Sequence, residues 1–160
     1  FKDTALFAMS SGTDKAGFSF ASEESFDLSE EHRFGRDERG LRVNMKDEVV
    51  WDGRINFGVN FTATDLTRAN SVYFYVLRTA PNAVFSSVKV KGANGTQVQI
   101  VESLDLGNWT RVTIDKTQFA EVFGNDLTAV SQLTVEIDPR ASDGNAYMYY
   151  QYFMSSVYMN

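Results

Sequence analysis

The sequence predicts an all-β fold, a sandwich or barrel of short strands in one domain. Three observations carry that expectation. From Leu41 onward, short runs alternate apolar and polar residues at period two, and clusters of Gly, Asn and Asp separate them. Helical periodicity is scarce. Thirteen Phe, seven Tyr and two Trp stand against two Pro, an aromatic load that favours strands and gives a thin core a large buried area. A chain of 160 residues is long enough to bury roughly two-thirds of its unfolded surface without covalent staples, so one core is expected.

In chain order, strands are predicted near residues 5–9 and 17–20. Residues 23–40 pack ten charged side chains into eighteen positions and read as a solvated loop crossing the sandwich. Strands follow at 41–45, 55–61 and 72–77. Those at 87–91 and 97–104 flank Gly92-Ala93-Asn94-Gly95, residues tolerant of positive φ and therefore a hairpin signal. After a strand at 110–114, Phe119 and Phe123 stand four apart with Gly124 as a C-cap, which predicts a helical turn over 118–124. Strands at 133–138 and 147–158 complete the set, the last one preceded by the Asp143-Gly144-Asn145 turn.

Composition excludes several classes of function. A net charge of -6 argues against a nucleic-acid or anionic-membrane partner. The absence of cysteine excludes a disulfide scaffold, a thiolate metal site and a cysteine nucleophile. No apolar run approaches the roughly 18 residues of a membrane-spanning helix, and the start at Phe1-Lys2-Asp3 lacks signal-peptide character. The chain reads as a module excised from a longer protein, 1–160 forming a single domain, and its compartment stays open.

The most informative stretch is Ser71-Val72-Tyr73-Phe74-Tyr75-Val76-Leu77-Arg78, in which Val72, Phe74 and Val76 share one strand face and Tyr73 and Tyr75 the other. Tyrosines on an open sheet face offer flat apolar area with a polar tip, which suits a ligand that is itself half apolar face and half hydroxyl. Sugars are such ligands. The pattern recurs where Tyr147, Tyr149, Gln151 and Phe153 alternate with Met148, Tyr150, Tyr152 and Met154.

Several motifs recur in an order that spans most of the chain. Leu41-Arg42-Val43 precedes Trp51-Asp52-Gly53, and Asp65-Leu66-Thr67 leads into the tyrosine strand. Val88-Lys89-Val90 precedes the Gly-Asn-Gly turn, Asn108-Trp109-Thr110-Arg111-Val112-Thr113-Ile114 precedes Phe119, and Tyr152-Phe153-Met154-Ser155-Ser156-Val157-Tyr158 ends the series. This order resembles that of carbohydrate-binding modules with a galactose-binding-domain-like jelly roll. The resemblance implies an antiparallel two-sheet β-sandwich of jelly-roll type and non-catalytic binding of a plant, algal or microbial cell-wall polysaccharide or oligosaccharide. It also implies a secreted or cell-surface setting beside a glycoside hydrolase or polysaccharide lyase, as a monomer within a larger enzyme. Such modules often hold a structural calcium through an acidic residue in the first strand and an aspartate in the last. Here Leu6-Phe7-Ala8-Met9-Ser10 and Ser155-Ser156 stand at those places, so no cofactor is expected and the calcium is doubted. Asp138, Asp143 and Asn145 read as turn chemistry.

The candidate ligand-binding residues are Tyr73 and Tyr75, with Tyr149 and Gln151 added by the same alternation argument. Packing beneath a loop is the competing role for these rings. Trp51 gives a large stacking surface, and Asp52 and Arg54 beside it supply hydroxyl partners. Arg78 and Arg111 lie on or next to strands, and two arginines on one face would favour an acidic sugar. Trp109 is assigned to support of the fold, as the resemblance implies.

Two other classes compete. A jelly-roll hydrolase needs paired carboxyl groups at fixed separation. Glu136-Ile137-Asp138 begins such a pattern, but Pro139-Arg140-Ala141 follows and the pair reads as solvent-facing. A lyase of this fold would carry Gln-Ile-His on one strand and lysine and glycine within its tyrosine-rich strand. The only histidine, His32, falls in the charged segment, and no Gly-x-Ser-x-Gly elbow exists. A protein-binding or adhesion module would use the same outward tyrosines as interface anchors.

Overall fold

Period-two alternation resolves into two antiparallel sheets that share one core. The computed structural model describes residues 3–7, 18–20, 25–29, 40–44, 55–79, 86–138 and 151–160, with side chains left out at 18–20, 25–29, 40–44, 55 and 151. The strands among these residues are β1 (Thr4–Phe7), β2 (Phe18–Phe20), β3 (Ser25–Ser29), β4 (Gly40–Asn44), β5 (Ile55–Thr64) and β6 (Ser71–Arg78). They continue with β7 (Ser87–Lys91), β8 (Gln97–Val101), β9 (Trp109–Asp115), β10 (Val130–Asp138), β11 (Gln151–Met154) and β12 (Val157–Met159). Helix α1 (Phe119–Phe123) stands between β9 and β10.

One sheet has seven strands in the order β1-β12-β6-β11-β4-β3, with β9 also paired to β6. The second has five, in the order β2-β5-β10-β7-β8. Strand β6 is central because β9 pairs with it from Ser71 to Leu77, while β11 and β12 share its other edge. Alternation then sorts its side chains. Val72, Phe74 and Val76 meet Val112, Ile114, Tyr152, Met154 and Val157 of the same sheet, and the core is completed by Phe57, Val59, Val88, Val90, Leu133, Val135 and Ile137 from the other. Each large apolar side chain buried this way stabilises the fold by about 1.5–3 kcal/mol.

The turns follow their chemistry. Gly95 has φ 86°, and Asn94 Oδ1 accepts hydrogen bonds from the Thr96 backbone N–H at 3.1 Å and from its hydroxyl at 2.6 Å. The hairpin docks on α1 through the Ala93 N–H, which donates to the Glu121 carbonyl at 2.9 Å. A Cβ added to Gly92 would lie 2.9 Å from that carbonyl oxygen, so glycine is needed for the approach. A 3-10 turn over Lys116–Gln118 leads into α1, capped by Asp115 Oδ1, which accepts the Thr117 N–H at 2.9 Å. The rings of Phe119 and Phe123 meet edge to face at 5.6 Å, and Gly124, at φ 87°, ends the helix.

Three expectations are corrected. The charged segment 23–40 contains β3, paired with β4 from Ser25 opposite Asn44 to Ser29 opposite Gly40. Ser25-Phe26-Asp27-Leu28-Ser29 alternates at period two, and the charges around it hid that signal. The last strand is interrupted at Ser155 and Ser156, both fully buried, which divides it into β11 and β12. Strand β8 stops at Val101; Leu104 is buried beyond it, its N–H donating to the Ser86 carbonyl at 2.8 Å.

Candidate functional site

The face of β6 turned away from the core carries Tyr73, Tyr75 and Leu77. The ladder sets Thr113, Arg111 and Trp109 of β9 opposite them. On the other edge Tyr158 stands opposite Tyr73, and Phe153 opposite Leu77. Since Val112 and Ile114 point into the core, Trp109 and Arg111 fall on the same outer face as the tyrosines. Among the described residues that face is therefore aromatic along two adjacent strands, with one cation among the rings.

Tyr73 is on the expected face but is not open: it is 6% exposed. Tyr158 stacks on it at 5.3 Å and 24°, and Tyr75 meets it edge to face at 6.0 Å and 89°. The Arg111 guanidinium carbon sits 3.8 Å from its ring centroid. Its hydroxyl donates to Asp3 Oδ2, which ties the chain just before β1 to the sheet. Burial first, then this hydrogen bond and the Asp3 charge, push its pKa up to about 12, against a smaller opposing pull from Arg111. Tyr73 thus acts as the floor of the face. The expectation that it presents an open stacking surface is corrected, because Arg111 and Tyr158 cover its ring.

Tyr75 is half-buried and stands opposite exposed Arg111; Trp109, also half-buried, lies two residues along β9. The loop before Trp109 is clasped to the end of β6 by the Gly107 N–H, which donates to the Arg78 carbonyl at 2.9 Å. In that loop Leu106 is 45% exposed, the one large hydrophobic side chain so exposed among the described residues. Tyr75, Trp109 and Arg111 form the accessible patch.

Arg78 does not join this patch. It is 6% exposed and pairs in register with Tyr152, a core residue, so it lies on the opposite parity from Tyr75. Its expected role as a ligand contact is corrected on that ground. Gln151 opens β11 opposite Asn44, and its side chain is not described. Trp51, Asp52, Arg54 and Tyr149 lie outside the described residues, as do His32, Asp143 and Asn145. Trp109, assigned by the resemblance to support of the fold, is half-buried on the outer face, as its parity opposite to Val112 and Ile114 signals.

The acid pair on β10 also differs from expectation. Glu136 is 4% exposed and Asp138 is buried, so neither faces solvent. Glu136 occupies the middle of the five-stranded sheet, with Asn56 on one flank and Lys89 on the other. At the last strand, where the resemblance would put a calcium-binding aspartate, the chain has Ser155 and Ser156. Ser155 Oγ is committed to the Tyr75 N–H and the Ser156 carbonyl, each at 2.8 Å, and no cluster of three or more potential metal-ligating residues occurs among the described residues.

No family model matches the chain, and no curated protein does either. Solved structures do match in shape. A family 30 carbohydrate-binding module aligns with TM-score 0.60 and 14% identity, over 100% of this chain and 99% of that one. The family 11 module of a Clostridium thermocellum cellulosomal cellulase aligns with TM-score 0.56 and 10% identity, over 99% and 94%. An exo-β-agarase aligns with TM-score 0.66 and 10% identity over 98% of this chain, which spans a quarter of that enzyme's chain, 25%. Likenesses at such identities establish shape, and with the two sheets described above they make this chain a β-sandwich with the fold of carbohydrate-binding modules.

Proposed function

We propose that this domain binds a polysaccharide non-catalytically, on the outer face of its seven-stranded sheet, as a secreted module that targets an appended glycoside hydrolase or lyase. The observation that carries the reading is the patch of Tyr75, Trp109 and Arg111, partly open to solvent and backed by the packed Tyr73–Tyr158 pair. Half-buried rings held by a sheet lose little freedom when a sugar stacks on them, and a guanidinium beside them orients hydroxyl or acidic groups. A further fact supports it. Modules of the same shape match over nearly their whole length, whereas the agarase matches over one quarter of its chain.

The test is a glycan array with the intact chain, read for both binding and product release. Saccharide-dependent retention without cleavage supports the proposal. Accumulating product would make the domain an enzyme, and failure to retain any glycan would favour an adhesion role.

A further inference from the structure

We infer that the glycan is an acidic one, and that Arg111 holds the carboxylate of a uronic-acid unit; this rests on the saccharide-binding reading above and names the class of sugar. Arg111 is exposed, yet its head group is fixed at two points. The guanidinium carbon lies 3.8 Å from the Tyr73 ring centroid, and Nε donates to Thr113 Oγ1 at 3.1 Å. Neither partner is anionic. Of the five N–H donors of the guanidinium, the Nε–H is used, and among the described residues the four on the terminal amino groups are left for another acceptor.

Two described acids of this sheet have hydrogen-bond partners of their own. Asp3 accepts the Tyr73 hydroxyl, and Asp115 Oδ1 accepts the N–H of Thr117 in the cap before α1. The net charge of -6 works against an acidic ligand at long range, but charges beyond about 8 Å are largely screened at physiological salt. What decides recognition is then the local fork. A planar carboxylate takes two parallel N–H bonds from a guanidinium, and a head group already held by a ring and a hydroxyl loses little entropy in making them.

Spacing fits the same ligand. Tyr75 lies directly across the ladder from Arg111, at about 5 Å between neighbouring strands, and Trp109 lies two residues along, about 7 Å away. A pyranose laid on the Tyr75 or Trp109 ring brings its ring carboxylate to Arg111. A neutral sugar would leave the charged fork with hydroxyl partners only.

The experiment is titration of the whole chain with polygalacturonate and alginate, with each polymer after carboxyl reduction, and with a sulfated galactan. The expected result is a preference of about tenfold or more for a uronate polymer over its reduced form, equivalent to about 1.4 kcal/mol, weakening as salt is raised. Arg111→Gln should remove the preference, and Arg111→Lys should retain only part of it. Because either variant could disturb Tyr73, the salt dependence of the unmodified protein stands as an independent check: uronate binding that ignores salt overturns the inference. Equal binding of acidic and reduced polymers also overturns it while leaving saccharide binding intact. Preference for the sulfated polymer overturns the carboxylate assignment, and no binding to any polymer overturns the underlying saccharide reading itself.

Discussion

Ser155 completes the hydrogen bonding of Tyr75 at a break in the sheet. The Tyr75 N–H donates to Ser155 Oγ at 2.8 Å, the Ser155 N–H donates to the Tyr75 carbonyl at 2.9 Å, and the same hydroxyl donates to the Ser156 carbonyl at 2.8 Å. A side chain thereby replaces a ladder partner where β11 ends and β12 begins. The break lies beside β6, the strand that presents Tyr75, on the edge opposite β9.

Ser155→Ala should therefore cost about 1–3 kcal/mol, the penalty for leaving a largely buried N–H without an acceptor. Urea denaturation would show a lower midpoint with an unchanged slope. An unchanged midpoint would mean that the hydroxyl contributes nothing to the β6 ladder.

Thr110→Val should act in the opposite direction. Thr110 stands opposite core residue Val76, and its Oγ1 is buried with no hydrogen-bond partner among the described residues. Valine keeps the β-branched shape suited to a strand and removes the orphan hydroxyl. A gain of about 1 kcal/mol in unfolding free energy is expected from the same denaturation measurement.

The Tyr73–Asp3 contact predicts a loss of stability in alkali. The phenol's folded pKa, about 12, lies above its ordinary value of 10.0, so the native state holds this proton more tightly than the unfolded chain does. The stabilisation is present in full below pH 10.0 and is lost as pH rises through about 12. Ultraviolet titration of phenolate should show Tyr73 ionising late, and Tyr73→Phe should remove one phenol from the late part of the curve. A titration in which Tyr73 ionises with the exposed phenols would contradict the packing described.

Much of the sandwich was legible because strand alternation writes core and surface directly into sequence: Val72, Phe74 and Val76 were assigned inward and are inward. The helical turn was equally legible, since Phe119, Phe123 and Gly124 carry its spacing and its stop. Strand β3 was not, because a charged neighbourhood outweighed five alternating residues. The site was half legible. Alternation gave the face of Tyr73 and Tyr75 but said nothing of Arg111 and Tyr158, which come from distant strands to close over Tyr73. Arg78 failed for a simpler reason: its parity is that of the core residues, and the apolar run up to it concealed where the inward row ends.

The central claim, that a saccharide stacks on the outer face, is tested most directly by measuring glycan affinity of Tyr75→Ala and Trp109→Ala beside their unfolding midpoints. Both rings are half-buried, so truncation should leave each variant folded while weakening binding by about tenfold or more. Folded variants that bind the same glycan as tightly as the unaltered chain would place the site elsewhere and contradict the account.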